Sequence, residues 1–327
     1  MVTIFMRFTI VTPSFNQLDW LELCVASVRD QVAQAGDECR VPRAEAKEEG
    51  AAVPLMVEHL VCDGGSEGIE EFARRMGADF YRDGKKVFGF QCSVGGQLPE
   101  AYSLAIHCEK DAGMYDAINK GLRRATGDVC SYLNCDEQLL PGALALVGEF
   151  LGKYADTDVV FGDTIVVGRH GEPLCYWRPY VPSPRHLAGA TLNTLSCSTF
   201  FRRRVVEAGH LFEPQWKTVG DLQWIRGLLE KKCRMACLPE PLSTFTFLGD
   251  NLGASAKARE EFETSRVAKD GPGRIFRRGL HGLRKLFSGA YVRRNVSYDL
   301  FLLSDPAQRR RFKSTSLGWR WPGLAKT

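Results

Sequence analysis

Residues 110–144 read KDAGMYDAINKGLRRATGDVCSYLNCDEQLLPGAL, and this stretch carries the pattern that decides the fold. Apolar residues every three or four positions predict a helix over 114–125. The apolar run VCSYL at 129–133 predicts a strand that ends at the polar segment 134–137. Pro141 then suits the first position of a second helix. A helix, a strand and a helix in immediate succession are typical of a layered α/β protein.

The same alternation continues on both sides of this stretch. FTIVT at 8–12 and VEHLVC at 57–62 predict two more strands, with a helix beginning near Leu18 between them. Further short strands are expected after residue 157, at 158–162, 164–168, 174–177, 199–203 and 242–247. The predicted fold is a Rossmann-like, three-layer α/β/α arrangement with a mostly parallel sheet, to which the later strands add a small mixed sheet.

Polar side chains follow three of the predicted strands. Asn16, Asp63 and Asp136 each come just after a strand. Ligands of open α/β sheets bind outside the carboxyl ends of the strands, so these side chains are candidates for one common site. The alternative is that each is a turn or helix-cap residue, a role that Asn and Asp often take.

The sequence lacks the usual glycine-rich motifs for phosphate binding. Neither G-x-x-x-x-G-K-[ST] nor a G-x-G-x-x-G after a strand occurs. A phosphorylated ligand would therefore need a metal ion such as Mg²⁺ or Mn²⁺, which binds carboxylate oxygens and accepts phosphates as further ligands. Asp136 is the candidate ligand, with Asn134 and Glu137 beside it, whereas the soft Cys135 thiol is unsuited to such a hard cation.

Five segments together resemble the family 2 glycosyltransferases, which have the GT-A fold, and within them the bacterial exopolysaccharide branch. The resemblance covers roughly residues 7–250. It rests on VTPSFNQLDWLELCVASVRDQ (11–31), HLVCDGGS (59–66), the stretch 110–144, STFFRRRVVEAGHLFEP (198–214) and GDLQWIRGLLEKK (220–232).

The resemblance implies functional roles for nine residues. For the nucleotide and sugar nucleotide it implies contacts from Pro13, Phe15, Asn16, Asp63, Asp111, Asn119 and Lys120. Asp136 matches the last acid of the D-x-D metal motif, and Asp221 matches the acid that serves as general base in inverting members. A divalent cation can neutralise a diphosphate leaving group, and a carboxylate can take the proton of an acceptor hydroxyl. For Lys120 the alternative is a solvated helix lysine.

The sequence departs from the family pattern at several of these positions. The D-x-D motif reads Asn134-Cys135-Asp136, and the acid pair at the base position reads Gly220-Asp221. Glu67-Gly68-Ile69 also replaces the usual residues after the second motif. Each departure leaves one essential acid in place. They bear on metal affinity and nucleotide preference more than on the class of reaction.

Composition places the chain among ordinary globular proteins. Its 327 residues are 44% hydrophobic and 25% charged, which excludes disordered, collagen-like and coiled-coil chains. The N-terminus does not resemble a signal peptide, so a cytoplasmic location is expected. The eleven cysteines show no zinc-ribbon spacing and are expected to be reduced and mostly buried.

The C-terminal part is strongly basic. Residues 274–313 hold eleven Lys or Arg and two Asp or Glu, a net charge of +9, whereas the whole chain carries +4. If residues 274–287 form a helix, its apolar and basic residues lie on different sides. The apolar stripe consists of Phe276, Leu280, Leu283 and Phe287, and the basic side consists of Arg277, Arg278, Arg284 and Lys285. Such a segment is typical of a helix at an anionic membrane surface, here the inner face. A further cluster, Arg309-Arg310-Arg311, favours the same interpretation. The alternative is a helix packed on the body with a solvated basic face.

These observations predict a GT-A domain over 1–255 and a basic, helical tail over 256–327. The expected activity is metal-dependent, inverting transfer of a sugar from a nucleotide-diphosphate donor, a UDP-sugar first, to a hydroxyl of a glycan or lipid-linked acceptor in polysaccharide biosynthesis. Nucleic acid is not an expected partner, since no recognition motif occurs. One alternative is a nucleotidyltransferase that makes the sugar nucleotide, although PSFNQLDW at 13–20 offers no Gly or Arg for its phosphate loop. The other is a degenerate, non-catalytic assembly subunit.

Overall fold

A computed structural model describes residues 6–33, 55–89, 101–187, 192–249, 256–265 and 273–322. The strands are β1 (Met6–Ser14), β2 (Leu55–Asp63), β3 (Asp79–Arg82), β4 (Lys85–Phe88), β5 (Tyr102–Cys108), β6 (Val129–Tyr132), β7 (Gln138–Leu139), β8 (Val159–Val167), β9 (Pro173–Trp177), β10 (Thr199–Arg202), β11 (Met235–Thr246), β12 (Arg294–Leu302) and β13 (Asp305–Leu317). The helices are α1 (Leu18–Ala33), α2 (Ile69–Met76), α3 (Met114–Arg124), α4 (Ala143–Lys153), α5 (Pro184–Leu187), α6 (Arg203–Glu207), α7 (Gly220–Glu230), α8 (Ala256–Thr264) and α9 (Gly273–Phe287).

One large sheet forms the centre of the molecule. Its strands run in the order β4-β3-β5-β2-β1-β6-β10-β8-β11-β7, and β9 pairs with β8. The strands β3, β5, β2, β1 and β6 are mutually parallel. As a result the ends of β2, β1 and β6 lie side by side at one edge, where the sequence analysis expected a common site.

Helices cover both faces of the sheet, so the predicted three-layer α/β/α fold is confirmed. Helices α1, α2 and α4 pack on one face and α3 and α7 on the other. Side chains of β1 alternate accordingly, with Phe8 and Ile10 in the first core and Val11 in the second. Helix α3 approaches closely, because a β-carbon at Gly121 would stand 2.4 Å from Val11 Cγ1. Only glycine permits that packing distance.

The later strands differ from expectation in their arrangement. Strands β7 to β11 extend the same large sheet, with β9 and β10 antiparallel to β8 and β11 parallel to it. The second, smaller sheet consists of the antiparallel pair β12 and β13. It comes from the segment that the sequence analysis expected to be helical, so the described part of the tail contains two helices followed by a hairpin.

The hairpin packs against the body of the protein. The side-chain amide of Gln138 donates to the Phe301 carbonyl at 2.9 Å and accepts from the Phe301 N–H at 3.0 Å. Arg309 donates to Asp30 at 2.6 Å, and Arg311 pairs with its neighbour on β12, Asp299, at 2.9 Å. Two members of the predicted membrane-binding Arg309–Arg311 cluster therefore have structural partners instead.

Candidate active site

The ends of three neighbouring strands bring the predicted polar residues to one edge of the sheet. Ser14 at the end of β1 pairs with Asp63 at the end of β2. On the other side of β1, the N–H of Leu133, just after β6, donates to the Val11 carbonyl at 2.9 Å. Asn16 and the turn 134–137 follow directly.

An exposed ring and a carboxylate flank a bare stretch of backbone at this edge. A β-carbon at Gly64 would lie 2.9 Å from Asp111 Oδ2 and 3.2 Å from Phe15 Cδ2. The Phe15 ring is 61% exposed, although it is apolar. Because Gly64 has no side chain, the Phe15 ring and the Asp111 carboxylate can both lie close to its backbone. The ring can stack on a planar group, and the carboxylate oxygen can accept hydrogen bonds.

The Asp63 carboxylate is engaged within its own turn. Oδ1 accepts from the N–H groups of Gly65 and Ser66 at 2.9 and 2.7 Å, and Oδ2 accepts from Ser66 Oγ at 2.7 Å. Ser66 Oγ in turn accepts from the N–H of Asn16 at 2.7 Å, where the backbone is left-handed (φ 53°). Asp63 therefore shapes the loop that carries Asn16. A contact with a nucleotide base stays a prediction for both.

Two other predicted nucleotide ligands have internal partners. The buried Asn119 amide donates to the Phe212 carbonyl at 2.7 Å and accepts from the Phe212 N–H at 2.9 Å. Lys120 donates to the Lys110 carbonyl at 2.5 Å and lies 3.5 Å from Asp116. Both side chains therefore hold loops onto α3 in this structure, and direct contact with a sugar nucleotide stays a prediction.

The turn 134–137 holds the predicted metal ligand. Burial raises the pKa of the Asp136 carboxyl. Glu137 is fully buried; its carboxylate oxygens accept from the Asn134 N–H at 2.8 Å and from Ser196 Oγ at 3.3 Å. Burial and the adjacent Asp136 raise the pKa of Glu137. Cys135 Sγ donates to the Pro13 carbonyl at 3.3 Å, which joins the turn to the end of β1.

The donor atoms of this turn fit a hard divalent cation whose other ligands come from a phosphorylated substrate. Asn134 Oδ1, beside Asp136 in sequence, is buried and has no hydrogen-bond partner among the described residues. Within the described ranges no group of three His, Cys, Asp or Glu side chains forms a complete metal cage. Mg²⁺ and Mn²⁺ need only one or two protein carboxylates when phosphates supply the rest, so Asp136 with Asn134 is the plausible ligand pair.

Asp221 lies in a narrow cleft at the start of α7. The cleft is lined by Tyr132, Leu192, Thr194, Ser196, Thr199, Phe212, Asp221, Trp224 and Ile225. Burial among these mostly apolar groups raises the pKa of Asp221 to about 6, while a hydrogen bond from the Leu222 N–H (2.8 Å to Oδ1) opposes the shift. A carboxylate with a pKa near 6 is ionised at neutral pH and still basic enough to accept a proton.

Tyr115 explains the missing acid at position 220. A β-carbon on Gly220 would lie 2.5 Å from Tyr115 Cε2. The Tyr115 hydroxyl accepts from the Asp221 N–H at 3.2 Å, and its ring stacks on Phe212. The ring therefore occupies the space of a second acid and supports the helix start that carries Asp221. No sequence signal singles out Tyr115.

Ser196 connects the two acidic regions. Its hydroxyl donates to Glu137, the neighbour of Asp136, and the same residue lines the Asp221 cleft. The predicted metal ligand and the predicted base thus lie on either side of one short segment. Ser196 and Thr194 are functional candidates that periodicity could not identify, because they lie outside regular strands and helices.

Glu261 on α8 is a further residue that sequence reasoning missed. Its carboxylate accepts from the N–H groups of Lys217, Thr218 and Val219 at 2.8–3.3 Å and from Thr218 Oγ1 at 2.8 Å. These hydrogen bonds lower the pKa of Glu261 although partial burial opposes the shift. They fix the three residues immediately before α7. Glu261 therefore positions the helix that carries Asp221, and α8 contributes to the site although it was assigned to the tail.

Comparison with known proteins gives a family match over the middle of the chain. A family model described as Glycosyl transferase family 2 matches residues 104–208. This range includes Asp111, Asn119, Lys120 and Asp136, whereas the N-terminal motif and Asp221 lie outside it.

A curated relative matches a shorter stretch of the chain. The PGL/p-HBAD biosynthesis glycosyltransferase of Mycobacterium bovis (strain BCG / Pasteur 1173P2) is 41% identical over 64 residues, which are 19% of this chain and 25% of the relative. The match thus spans about a quarter of the relative's length.

Solved structures resemble the fold over most of the chain. The mannosyltransferase PcManGT from Pyrobaculum calidifontis, solved with GDP-Man and Mn²⁺, gives a TM-score of 0.51 at 17% identity and covers 87% of this chain and 70% of that chain. S. aureus TarS 1-349, solved with UDP-GlcNAc, gives a TM-score of 0.50 at 13% identity. The match covers 83% of this chain and 69% of that chain. These likenesses establish the fold, which is GT-A as predicted.

Among the described helices, none is both long enough and apolar enough to span a membrane.

Proposed function

We propose that this chain, which carries a family 2 glycosyltransferase segment on a GT-A fold, transfers one sugar from a nucleotide-diphosphate donor to an acceptor hydroxyl. The observation that carries the proposal is the link through Ser196. This residue hydrogen-bonds the Asp136–Glu137 turn and lines the cleft of Asp221. A donor whose diphosphate lies at Asp136 would present its sugar toward Asp221.

The nucleotide of the donor belongs at the exposed end of β1 and β2. The Phe15 ring offers a stacking surface, and Asp111 Oδ2 lies close to the same glycine, Gly64. We expect Pro13, Asn16 and Asp63 to shape this subsite through the backbone. A UDP-sugar is the first donor to test. A solved neighbour holds UDP-GlcNAc and another GDP-Man, so both nucleotides belong in the panel.

The diphosphate would be held at Asp136 and Asn134 together with Mn²⁺ or Mg²⁺. When bound, such a cation neutralises the charge that develops on the leaving diphosphate. Asp136 contributes a carboxylate whose pKa is raised by burial, and Asn134 contributes an amide oxygen without another partner. Glu137 holds the turn in shape through the Asn134 N–H.

Asp221 is proposed as the general base of an inverting reaction. The acceptor oxygen attacks the anomeric carbon from the face opposite the diphosphate, and the bond from that carbon to the diphosphate oxygen breaks. The hydroxyl proton passes to the Asp221 carboxylate. A single displacement inverts the anomeric centre, and the products are the glycosylated acceptor and a nucleoside diphosphate. The apolar walls of the cleft, including Phe212 and Trp224, keep bulk water from competing with the acceptor.

The acceptor is proposed to be a glycan or a lipid-linked sugar in polysaccharide biosynthesis, met at the cytoplasmic face of a membrane. The exopolysaccharide assignment rests on the sequence resemblance alone. A nucleotidyltransferase would instead consume a nucleoside triphosphate and release pyrophosphate. A non-catalytic subunit would consume no donor.

One experiment separates these possibilities. The full chain is screened by thermal unfolding against UDP- and GDP-sugars, with and without Mn²⁺, and each stabilising donor is then assayed for release of nucleoside diphosphate. A specific donor at a hundred times its Kd should stabilise the fold by about 2.7 kcal/mol. We expect one donor to stabilise the chain with Mn²⁺ and to be consumed by wild type but not by Asp221→Asn. Release of pyrophosphate from a nucleoside triphosphate, or no turnover of any stabilising donor, would contradict the proposal.

A further inference from the structure

Large apolar side chains project into solvent at the end of α9. Leu283, Leu286 and Phe287 are 52%, 61% and 85% exposed, and Val292, just beyond the helix, is 54% exposed. Phe287 has the highest exposure among the large apolar side chains of the described residues. Contiguous apolar groups of this kind on a protein surface mark an interaction site more often than chance exposure.

The helix is oriented with its apolar end outward. Lys285 points toward the body, where its ammonium lies 4.7 Å from the centroid of the Trp177 ring, and burial lowers its pKa. Arg284 donates to the Val181 carbonyl at 3.1 Å. Helix α9 therefore packs on the body, as the alternative considered from the sequence expected, but over residues 279–287 Arg284 and Lys285 face the body while Leu283 and Phe287 of the apolar stripe are exposed. The side chains of Phe276, Arg277 and Arg278 lie outside the described residues.

A basic groove lies beside these apolar groups. It has a volume of about 340 Å³ and is lined by Leu174, Arg293, Gly318, Trp319 and Arg320. The Tyr291 ring lies edge-on to Trp319 at 4.6 Å, and its hydroxyl approaches α9 at Gly282. Arg293 follows Val292 directly, so the groove and the apolar end are contiguous.

The charge of this region has one sign. Residues 279–298 and 306–322 contain no Asp or Glu. Arg293 and Arg320 are exposed, and Arg293 donates only to the Ser316 carbonyl, at 3.0 Å, among the hydrogen bonds seen in the described part of the chain. Exposed arginines, half-buried Trp and Tyr rings and protruding Leu and Phe side chains are the combination that suits an anionic bilayer, with the rings at headgroup depth.

We infer that α9 residues 283–287, Val292 and the groove at Arg293, Trp319 and Arg320 form a docking face for an anionic lipid bilayer. Leu283, Leu286, Phe287 and Val292 enter the interface, and Arg293 and Arg320 bind lipid phosphates. The inference extends the proposed function and depends on it, because a lipid-linked acceptor would reach the protein at this surface.

Two short connections join the docking face to the candidate active site. Trp321, next to Arg320, packs on Phe245 and Phe247 of the β11 end, and Thr246 between them donates through Oγ1 to the Asp136 carbonyl. Trp177, under Lys285, donates through its indole N–H to the Asn193 carbonyl at 3.0 Å, and Asn193 immediately precedes Thr194 of the Asp221 cleft. A lipid-linked acceptor on this face would therefore be held near both acids.

The test measures sedimentation of the full chain with vesicles of phosphatidylcholine. The vesicles contain either no phosphatidylglycerol or about 30–40% of it, which gives a marked negative surface potential. Three variants are compared with wild type: Leu286→Ser with Phe287→Ser, Arg293→Glu with Arg320→Glu, and all four together. Matched controls lie at the opposite edge of the sheet: Val87→Ser, which is 50% exposed on β4, and Arg82→Glu with Lys85→Glu. Thermal unfolding confirms that each variant is folded.

We expect wild type and the controls to bind the anionic vesicles and to bind neutral vesicles weakly. Each reversed arginine should weaken binding at least about fivefold, and this part should fade as salt is raised. The two serines should weaken binding tenfold or more at every salt concentration, because apolar insertion is not screened.

Unchanged binding by the folded four-site variant would overturn the inference, as would absence of binding by wild type. Self-association of wild type that the Leu286 and Phe287 variant abolishes, without vesicle binding, would assign the face to a second copy of the chain instead. Transfer to a water-soluble acceptor is measured in parallel. Its survival in the docking variants separates failure of this inference from failure of the proposed activity.

Discussion

The aromatic ring of Tyr115 occupies the space that a side chain on Gly220 would need, with 2.5 Å between the ring and the position of a β-carbon. We expect Gly220→Ala to push the ring or the start of α7 aside. Overpacking of this kind costs about 1–3 kcal/mol, and turnover should fall because Asp221 moves with the helix. Gly227→Ala on the same helix is the control; nothing lies within 4 Å of its β-carbon position, so it should stabilise by up to about 1 kcal/mol. Equal effects of the two substitutions in chemical denaturation would contradict the packing argument.

Asp221 should control the pH dependence of turnover. Its pKa is raised to about 6, so the carboxylate becomes the ionised, proton-accepting form as the pH rises through this value. Turnover should therefore increase tenfold per pH unit below about pH 6 and level off above it. Asp221→Asn should lower turnover by about two to four orders of magnitude, remove this limb of the profile and leave donor affinity nearly unchanged. A large loss of donor affinity with turnover preserved would make Asp221 a binding residue.

Asp136 and Glu137 should respond differently to removal of their charge. Asp136→Asn should lower turnover at least about a hundredfold at saturating donor and raise the Mn²⁺ concentration needed for half-maximal rate. Glu137→Gln should have a much smaller effect, because Glu137 is fully buried and its oxygens only accept hydrogen bonds within the protein. The measurement is a Mn²⁺ titration of initial rates. If Asp136→Asn retains more than about a tenth of the wild-type rate, Asp136 is not the metal ligand.

Glu261 should influence catalysis from a distance. Glu261→Gln weakens four hydrogen bonds to residues 217–219, and we expect it to destabilise the protein by about 1–3 kcal/mol and to lower kcat more than it raises the KM for donor. Because the pKa of Glu261 is lowered from 4.5, its stabilising effect is complete above that value and disappears as the pH falls below it. Glu260→Gln, on the adjacent exposed position, is the control. A purely structural role would lower stability without changing the ratio of kcat to KM.

Adjacent arginines of the hairpin should differ sharply in their contribution to stability. Arg309 is 11% exposed and bonded to Asp30, so Arg309→Ala should cost about 3 kcal/mol or more in the free energy of unfolding. Arg310 is exposed and contacts only the Phe312 ring among the interactions seen for it in residues 273–322, so Arg310→Ala should change stability by about 0.5 kcal/mol or less. Chemical denaturation of both variants measures the difference. Similar losses would mean that the hairpin is not anchored through Asp30.

The fold could be predicted from local pattern where the pattern is strong. Residues 110–144 gave α3, β6 and the start of α4 nearly to the residue, because one face of each helix and the whole of the strand are buried. The hairpin at 294–317 was missed, although Val296, Tyr298 and Leu300 alternate with polar residues as an amphipathic strand does. The high density of arginine in the second strand, 305–317, hides the period of the hairpin.

From the order of elements alone, the candidate site was predictable only at the strand ends, whereas Asp111 and Asp221 were expected from the family resemblance. Asn16, Asp63 and Asp136 meet at one edge because parallel strands place their carboxyl ends together, and this required only the order of elements. The contacts of Tyr115, Ser196 and Glu261 depend on how α3, α8 and the segment 192–198 pack, which no local pattern encodes. The same holds for the internal partners of Asn119 and Lys120.

The bond between Arg309 and Asp30 spans 279 residues of sequence, and it therefore constrains the order in which the protein can be completed during translation. At about 5–20 residues per second, roughly 14–56 s pass between synthesis of α1 and synthesis of its partner. During that interval the surfaces of α1 and β7 that later receive the hairpin face the crowded interior of the cell. We expect a nascent chain arrested before residue 294 to be held by chaperones, and emergence of residues 294–317 from the ribosome to be the step at which the last of the α1 surface is covered.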